Sequence, residues 1–283
     1  MTRLIVNADD FGITEGTNRA ILDAHRAGIV TSTSLLANGH AFDQAVELAR
    51  QYPSLSVGVH LTLTEGPPVA ANVPALLAPD GNLPLSNQPF VRALIAGRLP
   101  REAIRREFEA QVGKMVASGL KPTHLDGHKY IHLLPGITPI AVDVARQFAI
   151  PAMRIPHRIA DAPSRVSRLP GVLILMVMGA LAYRVARRAG LHTSDRLVGF
   201  VDTGHLNRET IRRLLARPRP GVTELLCHPA YRTPLLDDLL ARGYRWIASY
   251  AFDTETATVS DPNTRRMLES AGWTLVSFGT AFG

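Results

Sequence analysis

Arg3-Leu4-Ile5-Val6-Asn7-Ala8-Asp9-Asp10-Phe11-Gly12, followed from about Glu15 to Ala27 by a helical pattern that Gly28 ends, decides the fold. Residues 3 to 9 form an apolar, β-leaning run, and a strand followed at once by a helix opens a βα unit. The alternation continues along the chain. Thr31 to Leu36 and Ser56 to Leu63 predict strands on either side of a helix over Phe42 to Gln51. His124 to His132, Ala152 to Pro156, Leu197 to Val201, Val222 to His228 and Thr274 to Phe278 predict further strands, with helices over 101–118, 137–148, 207–216, 234–242 and 262–271. Repeated βα units favour parallel pairing, and this many of them predict an α/β fold, a distorted TIM-like (β/α) barrel of mostly parallel strands. The chain, 1–283, reads as one domain. It carries a Pro- and Gly-containing excursion at about 66–100, of the length expected of a binding loop or lid, and an apolar-basic insertion at about 158–196.

The 283 residues, 46% hydrophobic and 19% charged, can bury a core without staples. The single cysteine, Cys227, excludes a disulfide framework and every multi-cysteine zinc motif, and suits a reducing compartment. No run of about 18 apolar residues occurs, so no spanning helix is expected. The N-terminal apolar run reaches Asp9-Asp10 too soon for a signal peptide, which makes the cytoplasm the expected location. Net charge is +7, and it is unevenly spread: Arg154 to Arg219 holds thirteen arginines against Asp161, Asp195, Asp202 and Glu209. Such a field suits an anionic membrane or a phosphorylated substrate, or is simply a solvated arginine face; no nucleic-acid motif accompanies it, so no nucleic-acid partner is expected. Within it, Gly171 to Tyr183 is uncharged and mostly apolar, with Arg165 and Arg168 before it and Arg184, Arg187 and Arg188 after it. That pattern fits a buried core helix, or a helix making peripheral contact with the inner face of a membrane.

Polar chemistry gathers at the predicted strand ends, where such barrels build their sites. Neighbours in a regular strand face opposite sides, so Asp9 and Asp10 serve one pocket only where the strand ends and bends, and Gly12 permits a bend. Paired acids there suit a division of labour, one holding a cation and the other taking a proton from water; the plainer alternative is that Asp10 caps a turn. His60 lies on the more polar face of its strand, as a ligand or as a hydrogen-bonded structural histidine. In the third cluster the even positions are His124, Asp126, His128, Tyr130 and His132, a row that a core tolerates only as a pocket lining. Its ends would stand roughly 26 Å apart if extended, so they cannot all bind one ion; one member could ligate while neighbours orient it or touch substrate, and Asp126 suits the orienting part. His228, delivered by a strand that Pro229 stops, has the pKa range of a proton donor, or else bonds a loop carbonyl. Cys227 faces away from it and reads as a small buried hydrophobe.

Taken in order, Val6-Asn7-Ala8-Asp9-Asp10-Phe11-Gly12, Gly28-Ile29-Val30-Thr31-Ser32-Thr33, Gly58-Val59-His60-Leu61, Thr123-His124-Leu125-Asp126-Gly127-His128-Lys129 and Cys227-His228-Pro229-Ala230 resemble the YdjC-like carbohydrate deacetylases, which include chitooligosaccharide and hopanoid-associated glycolipid deacetylases. The resemblance implies a distorted barrel that removes acetyl groups from N-acetylated sugars with one divalent metal ion. It implies Asp10, His60 and His128 as metal ligands, Asp9 as general base and His228 as general acid. Asp126, His132 and Arg154 are the expected substrate contacts. Family likeness implies magnesium, whereas two imidazoles and a carboxylate suit zinc or another transition metal. Two departures stand out: Tyr130 occupies a place that is often histidine, and Ser249-Tyr250-Ala251-Phe252-Asp253 replaces an Arg-Glu-rich stretch. Another metal-dependent hydrolase, such as a phosphoesterase, or a sugar-binding protein without catalysis would share some of these residues, although binding alone has no use for a base and an acid together.

Overall fold

The computed structural model of the protein describes residues 1–160 and 169–282. Seven strands, all paired in parallel, form one sheet. They are β1 (Thr2–Phe11), β2 (Ser32–Leu35), β3 (Ser56–Leu61), β4 (Leu125–Gly127), β5 (Arg196–Val198), β6 (Gly221–Cys227) and β7 (Thr274–Val276). The order is β4-β3-β2-β1-β6-β5. β1 is the longest strand and sits inside the sheet. β6 runs along one of its edges, while the other edge is shared by β7 at Arg3–Ile5 and by β2 from Asn7 onward.

The segment 152–160 links the two outer strands. On one side Leu125 donates its amide to Ala152, and Arg154 donates to Leu125; on the other Leu197 donates to Arg158, and Ala160 donates to Leu197. This brings β4 and β5 together across a distorted α/β barrel, as the βα alternation predicts. The strand expected at Ala152 to Pro156 is reduced to isolated bridges. Pro151 and Pro156 have no amide hydrogen to give a ladder.

Helices α1 (Glu15–Arg26), α2 (Phe42–Gln51), α3 (Gln88–Ile95), α4 (Arg101–Ala117), α5 (Thr138–Gln147), α6 (Leu169–Arg188), α7 (Arg208–Leu214), α8 (Pro234–Ala241), α9 (Trp246–Ser249), α10 (Phe252–Ser260) and α11 (Pro262–Ser270) surround the sheet. The 66–100 excursion is not an open loop. It buries Leu76, Leu83 and Phe90 in the core, and the Val69 and Ala70 amides donate to the buried Glu107 carboxylate on α4.

α6 is a core helix on one face only. Leu175, Ala182 and Ala186 point inward, and Gly179 lies so close to the Pro156 carbonyl that a Cβ there would stand 2.6 Å from its oxygen. Leu173 is 65% exposed, and Ile174, Val177 and Leu181 are exposed beside it. The helix runs on past the uncharged stretch to Arg188, long and apolar enough by length and composition to pass as a span, but its inward face is packed on the fold. Arg165 and Arg168 lie outside the described residues.

The barrel interior is polar toward the strand C-termini, above a small apolar layer of Ile5, Val222 and Phe278. Arg154, 1% exposed, reaches in from the closing segment. Its guanidinium donates to both oxygens of Asp9 at 2.7 and 2.8 Å, approaches Asp126 at 3.0 Å, and donates through Nε to Glu224. Replacing Arg154 leaves three buried carboxylates without their common partner. Arg154→Met is expected to lower the unfolding free energy by about 3–5 kcal/mol, measured by urea denaturation of the metal-free protein.

Candidate active site

Apart from Arg154 on the closing segment, the candidate residues sit near the C-terminal ends of the strands or just beyond them. Asp9 and Asp10 lie near the end of β1, where the register with β2 shifts between Ala8 and Phe11, and Asp10 makes this bulge with φ 66. The sequence suggested Gly12 for this bend; Gly12, at φ 89, follows the turn instead of starting it. Aspartate tolerates the left-handed region better than most residues, and the cost is of order 1 kcal/mol. The reversal lets adjacent carboxylates face one cavity, which regular strand geometry forbids.

The row from His124 to His132 also departs from a regular strand. Pairing stops at Gly127, and Lys129 and Tyr130 both adopt left-handed φ, 52 and 56. The chain turns into a 3-10 segment, His128–Leu133, and the shared face is lost. His128 and Tyr130 reach the cavity. His124 and His132 are fully buried, and burial lowers their pKa to about 3 and about 4. His132 packs where Gly127 has no side chain, since a Cβ there would lie 2.5 Å from its ring, and its Nε2 is 2.9 Å from the Arg154 carbonyl.

Three donor atoms converge. Asp10 Oδ1 lies 3.0 Å from His128 Nδ1 and 3.5 Å from His60 Nε2. Asp10 Oδ1 nevertheless has no aligned hydrogen-bond partner, although it is buried. The three atoms are thus close together without an aligned hydrogen bond to Asp10 Oδ1. Behind each imidazole stands a carboxylate: Asp126 Oδ1 at 2.6 Å from His60 Nδ1, and Glu65 Oε2 at 2.8 Å from His128 Nε2. That backing fixes ring orientation and tautomer in metal-binding histidines. A divalent cation therefore fits Asp10, His60 and His128, which are close enough together to hold one. A second grouping, Asp9, His60 and Asp126, is equally compact, but its carboxylates are already committed to Arg154 and Ser34.

The electrostatics follow from this packing. Burial alone would lower the His60 pKa, but Asp126 and Asp9 override it and push it up to about 10. Burial likewise opposes the charged form of His128, and Asp10 and Glu65 raise it again. Asp10 is held well below the usual carboxylate range, because His128 and His60 outweigh its burial. This concentrated negative field is one a bound cation would neutralise. His228 differs: burial pushes its pKa down, against a smaller upward pull from Asp9 and Asp10. Its Nδ1 is buried without a partner, while its backbone amide donates to Glu255 on α10.

A cavity of about 230 Å³ opens over these groups, lined by Asp9, Asp10, His60, His128 and His228 together with Tyr130, Phe200, Trp246 and Tyr250. All five residues given metal or proton-transfer roles are thus brought together. The three expected substrate contacts are not: Asp126, His132 and Arg154 lie beneath the cavity, where Asp126 orients His60 and Arg154 grips Asp9. Cys227 is buried and directed at the Asn7 carbonyl, and burial raises its thiol pKa, so it is no nucleophile. Sequence reading missed Glu65, Glu255 and the aromatic wall of Trp246 and Tyr250. Glu65 follows the His60 strand by only a few residues, so a carboxylate near an imidazole was the available signal; the others come from distant segments.

A family model described as YdjC-like protein matches residues 3–270. A carbohydrate deacetylase of Brevibacillus brevis is 44% identical over 149 residues, 53% of this chain and 58% of its own length. The match thus spans little more than half of that relative. A chitooligosaccharide deacetylase of Klebsiella pneumoniae is 36% identical over 229 residues, 81% of each chain. Among solved structures, a protein of Enterococcus faecalis named for cellobiose-phosphate cleavage superposes with a TM-score of 0.76 at 26% identity, covering 98% of this chain and 97% of the other.

The ligand geometry separates two classes of variant. Asp10→Asn, His60→Ala and His128→Ala are expected to lose bound divalent metal on elemental analysis, and Glu65→Gln to weaken its binding about 10–100-fold by calorimetry. Asp9→Asn and His228→Ala should retain the metal. Full metal occupancy in all three ligand variants would refute the assignment.

Proposed function

This chain belongs to the YdjC-like protein family, and on that premise we propose that it is a metal-dependent hydrolase that removes acetyl groups from N-acetylated sugars. One observation carries the reading: Asp9 and His228 open on the same cavity as a carboxylate-backed Asp10, His60 and His128 set. A phosphoesterase could use such a set, but the relatives' names favour the deacetylase.

A divalent ion held by Asp10, His60 and His128 would polarise the acetyl carbonyl and acidify water. The two-nitrogen, one-oxygen donor set favours zinc or another transition metal over magnesium, despite the family likeness. Asp9 takes the proton of the attacking water. Its Oδ1 already accepts from Asn7 and Arg154, whereas Oδ2 accepts from Arg154 alone, so Oδ2 keeps the lone pair that can receive it. Water oxygen bonds to the acetyl carbon, the C–N bond breaks, and His228 delivers a proton to the departing nitrogen, leaving acetate and the sugar amine. The aromatic wall of Tyr130, Trp246 and Tyr250 offers flat apolar surface to a pyranose ring. Tyr130 Oη, buried without a partner, suits a sugar hydroxyl or the acetyl group.

Acetate release from N-acetylglucosamine oligomers, lost on chelation and restored by metal, is the direct test. Asp9→Asn and His228→Ala should lower kcat about a hundred- to ten-thousand-fold with metal retained. A proton donor whose pKa is pushed down places the alkaline limb of the kcat/KM profile below the ordinary histidine value of 6.5. That limb should vanish in His228→Ala. Activity within about tenfold of the parent in either variant counts against its role.

The exposed face of α6 supports a peripheral membrane partner. α6 packs on the 128–133 segment, whose His128 and Tyr130 line the cavity, and Tyr183 stacks on His157 at 4.2 Å. Leu173, Ile174, Val177 and Leu181 stand exposed in the same helix as Arg184, Arg187 and Arg188, a pairing of apolar and cationic groups that complements an anionic bilayer. Co-sedimentation with phosphatidylglycerol vesicles at low salt, weakened at high salt and lost in Leu173→Ser/Leu181→Ser, is expected. No binding at low salt would remove the membrane and leave a soluble oligosaccharide as the substrate.

A further inference from the structure

We infer a second ligand site, for a small phosphorylated anion, on the opposite end of the barrel from the metal ligands. A cavity of about 180 Å³ lies there, lined by Arg196, Arg213, Arg217 and Arg219 together with Thr223 and Trp273. Arg196 begins β5 and pairs in register with Thr223, the third residue of β6. His228 lies five residues farther along that strand direction, roughly 16 Å away at the usual rise. Thr223 also alternates with Glu224, which points into the barrel against Arg154, so the cavity lies on the outer face of β6. The arginine cavity is therefore no extension of the sugar cavity.

The charges in this hollow are poorly compensated. Arg213 pairs with Asp202 at 2.9 Å. Arg196 spends its guanidinium on the Pro220 carbonyl and the Thr223 hydroxyl, which leaves its charge without a carboxylate among the described residues. Asp195, its neighbour in sequence, uses Oδ2 to accept the Val222 amide. Among the described residues, Arg217 and Arg219 have neither a hydrogen bond nor an ion pair. The negative end of α7 accounts for cations in its last turn, Arg212 and Arg213, but not for Arg196 on β5 or for Arg217 and Arg219 beyond the helix. Four guanidinium groups around one hollow repel one another unless an anion joins them, and their planar forks match phosphate oxygens two at a time.

The remaining wall narrows the ligand. Trp273 is buried, and its indole N–H donates to the Leu215 carbonyl, so it offers an apolar ring and no donor. A compact phosphate ester or pyrophosphate fits this size and chemistry. Both a soluble phosphate ester and a phospholipid headgroup carry such a group, and the test separates them.

Calorimetry of the whole protein at low salt with sn-glycerol 3-phosphate and with inorganic pyrophosphate should show one saturable site per chain. Arg217→Ala/Arg219→Ala should weaken both at least tenfold, while Arg184→Ala/Arg188→Ala on α6 leaves them unchanged. In a second arm, phosphatidylglycerol vesicles are offered to the same variants. Retention that falls with the cavity variant assigns the site to a headgroup, and retention that is unaffected assigns it to a soluble phosphate. No saturable binding of either soluble probe, or binding that the cavity variant leaves intact, overturns the proposal. Metal content and acetate release are read separately, so the outcome does not depend on the deacetylase reading.

Discussion

The buried guanidinium of Arg154 is the point on which the barrel and its candidate site both depend. A barrel of parallel strands normally fills its interior with branched apolar side chains. Here the interior carries Asp9, Asp126 and Glu224, and three buried carboxylates around no cation would be prohibitively costly. Arg154 answers all three from the segment that brings β4 and β5 together. Burial alone would raise the Asp126 pKa, but Arg154 and then His60 hold it far below the usual range, so it remains a carboxylate against His60. The same fork fixes the plane of Asp9 from below.

Two backbone reversals then turn this network into an open site. Asp10 at the end of β1, and Lys129 with Tyr130 after β4, adopt left-handed conformations that most side chains avoid. Each redirects a functional side chain into the cavity, Asp10 from a bulge near the end of β1 and Lys129 with Tyr130 just after β4. Strain of this kind persists only when surrounding contacts hold it. Around Lys129 those contacts are visible: its amine is bound to Glu65 and to the Leu85 carbonyl, and its own carbonyl accepts from Asn87. The 66–100 excursion thus acts on the site through Lys129 and Glu65 without lining it.

This division explains what the sequence discloses. Asp10, His60, His128, Asp9 and His228 were legible because each stands in a short motif at a strand end, and the motifs occur in a recognisable order. The roles of Asp126 and Arg154 were harder. Arg154 is one of thirteen arginines in its region, and only the closure of the barrel shows that it points inward while others remain solvated. The expected single face from His124 to His132 failed because period-two reasoning assumes regular backbone, and nothing in Lys129 or Tyr130 announces a positive φ. α10 escaped notice because Phe252–Ser260 is rich in threonine, a weak helix former, yet its buried Glu255 holds the His228 amide.

The polar plug also divides the molecule electrostatically. Above Arg154 stand Asp9, Asp10 and Glu65, a set that favours a cation; below it, at the strand N-termini, the exposed arginines of α7 and its following turn favour an anion. Neither charge cluster can neutralise the other through the barrel, because Arg154 and Glu224 are already bound to their own partners between them. Among the described residues, Arg196, Arg217 and Arg219 are left without a carboxylate, while Asp9 and Glu65 at the acidic end are answered by Arg154 and Lys129. A net charge of +7 is, on this view, the surplus left when a locally acidic cavity and a strongly basic opposite end share one fold. What the barrel interior insulates, the sequence total conceals.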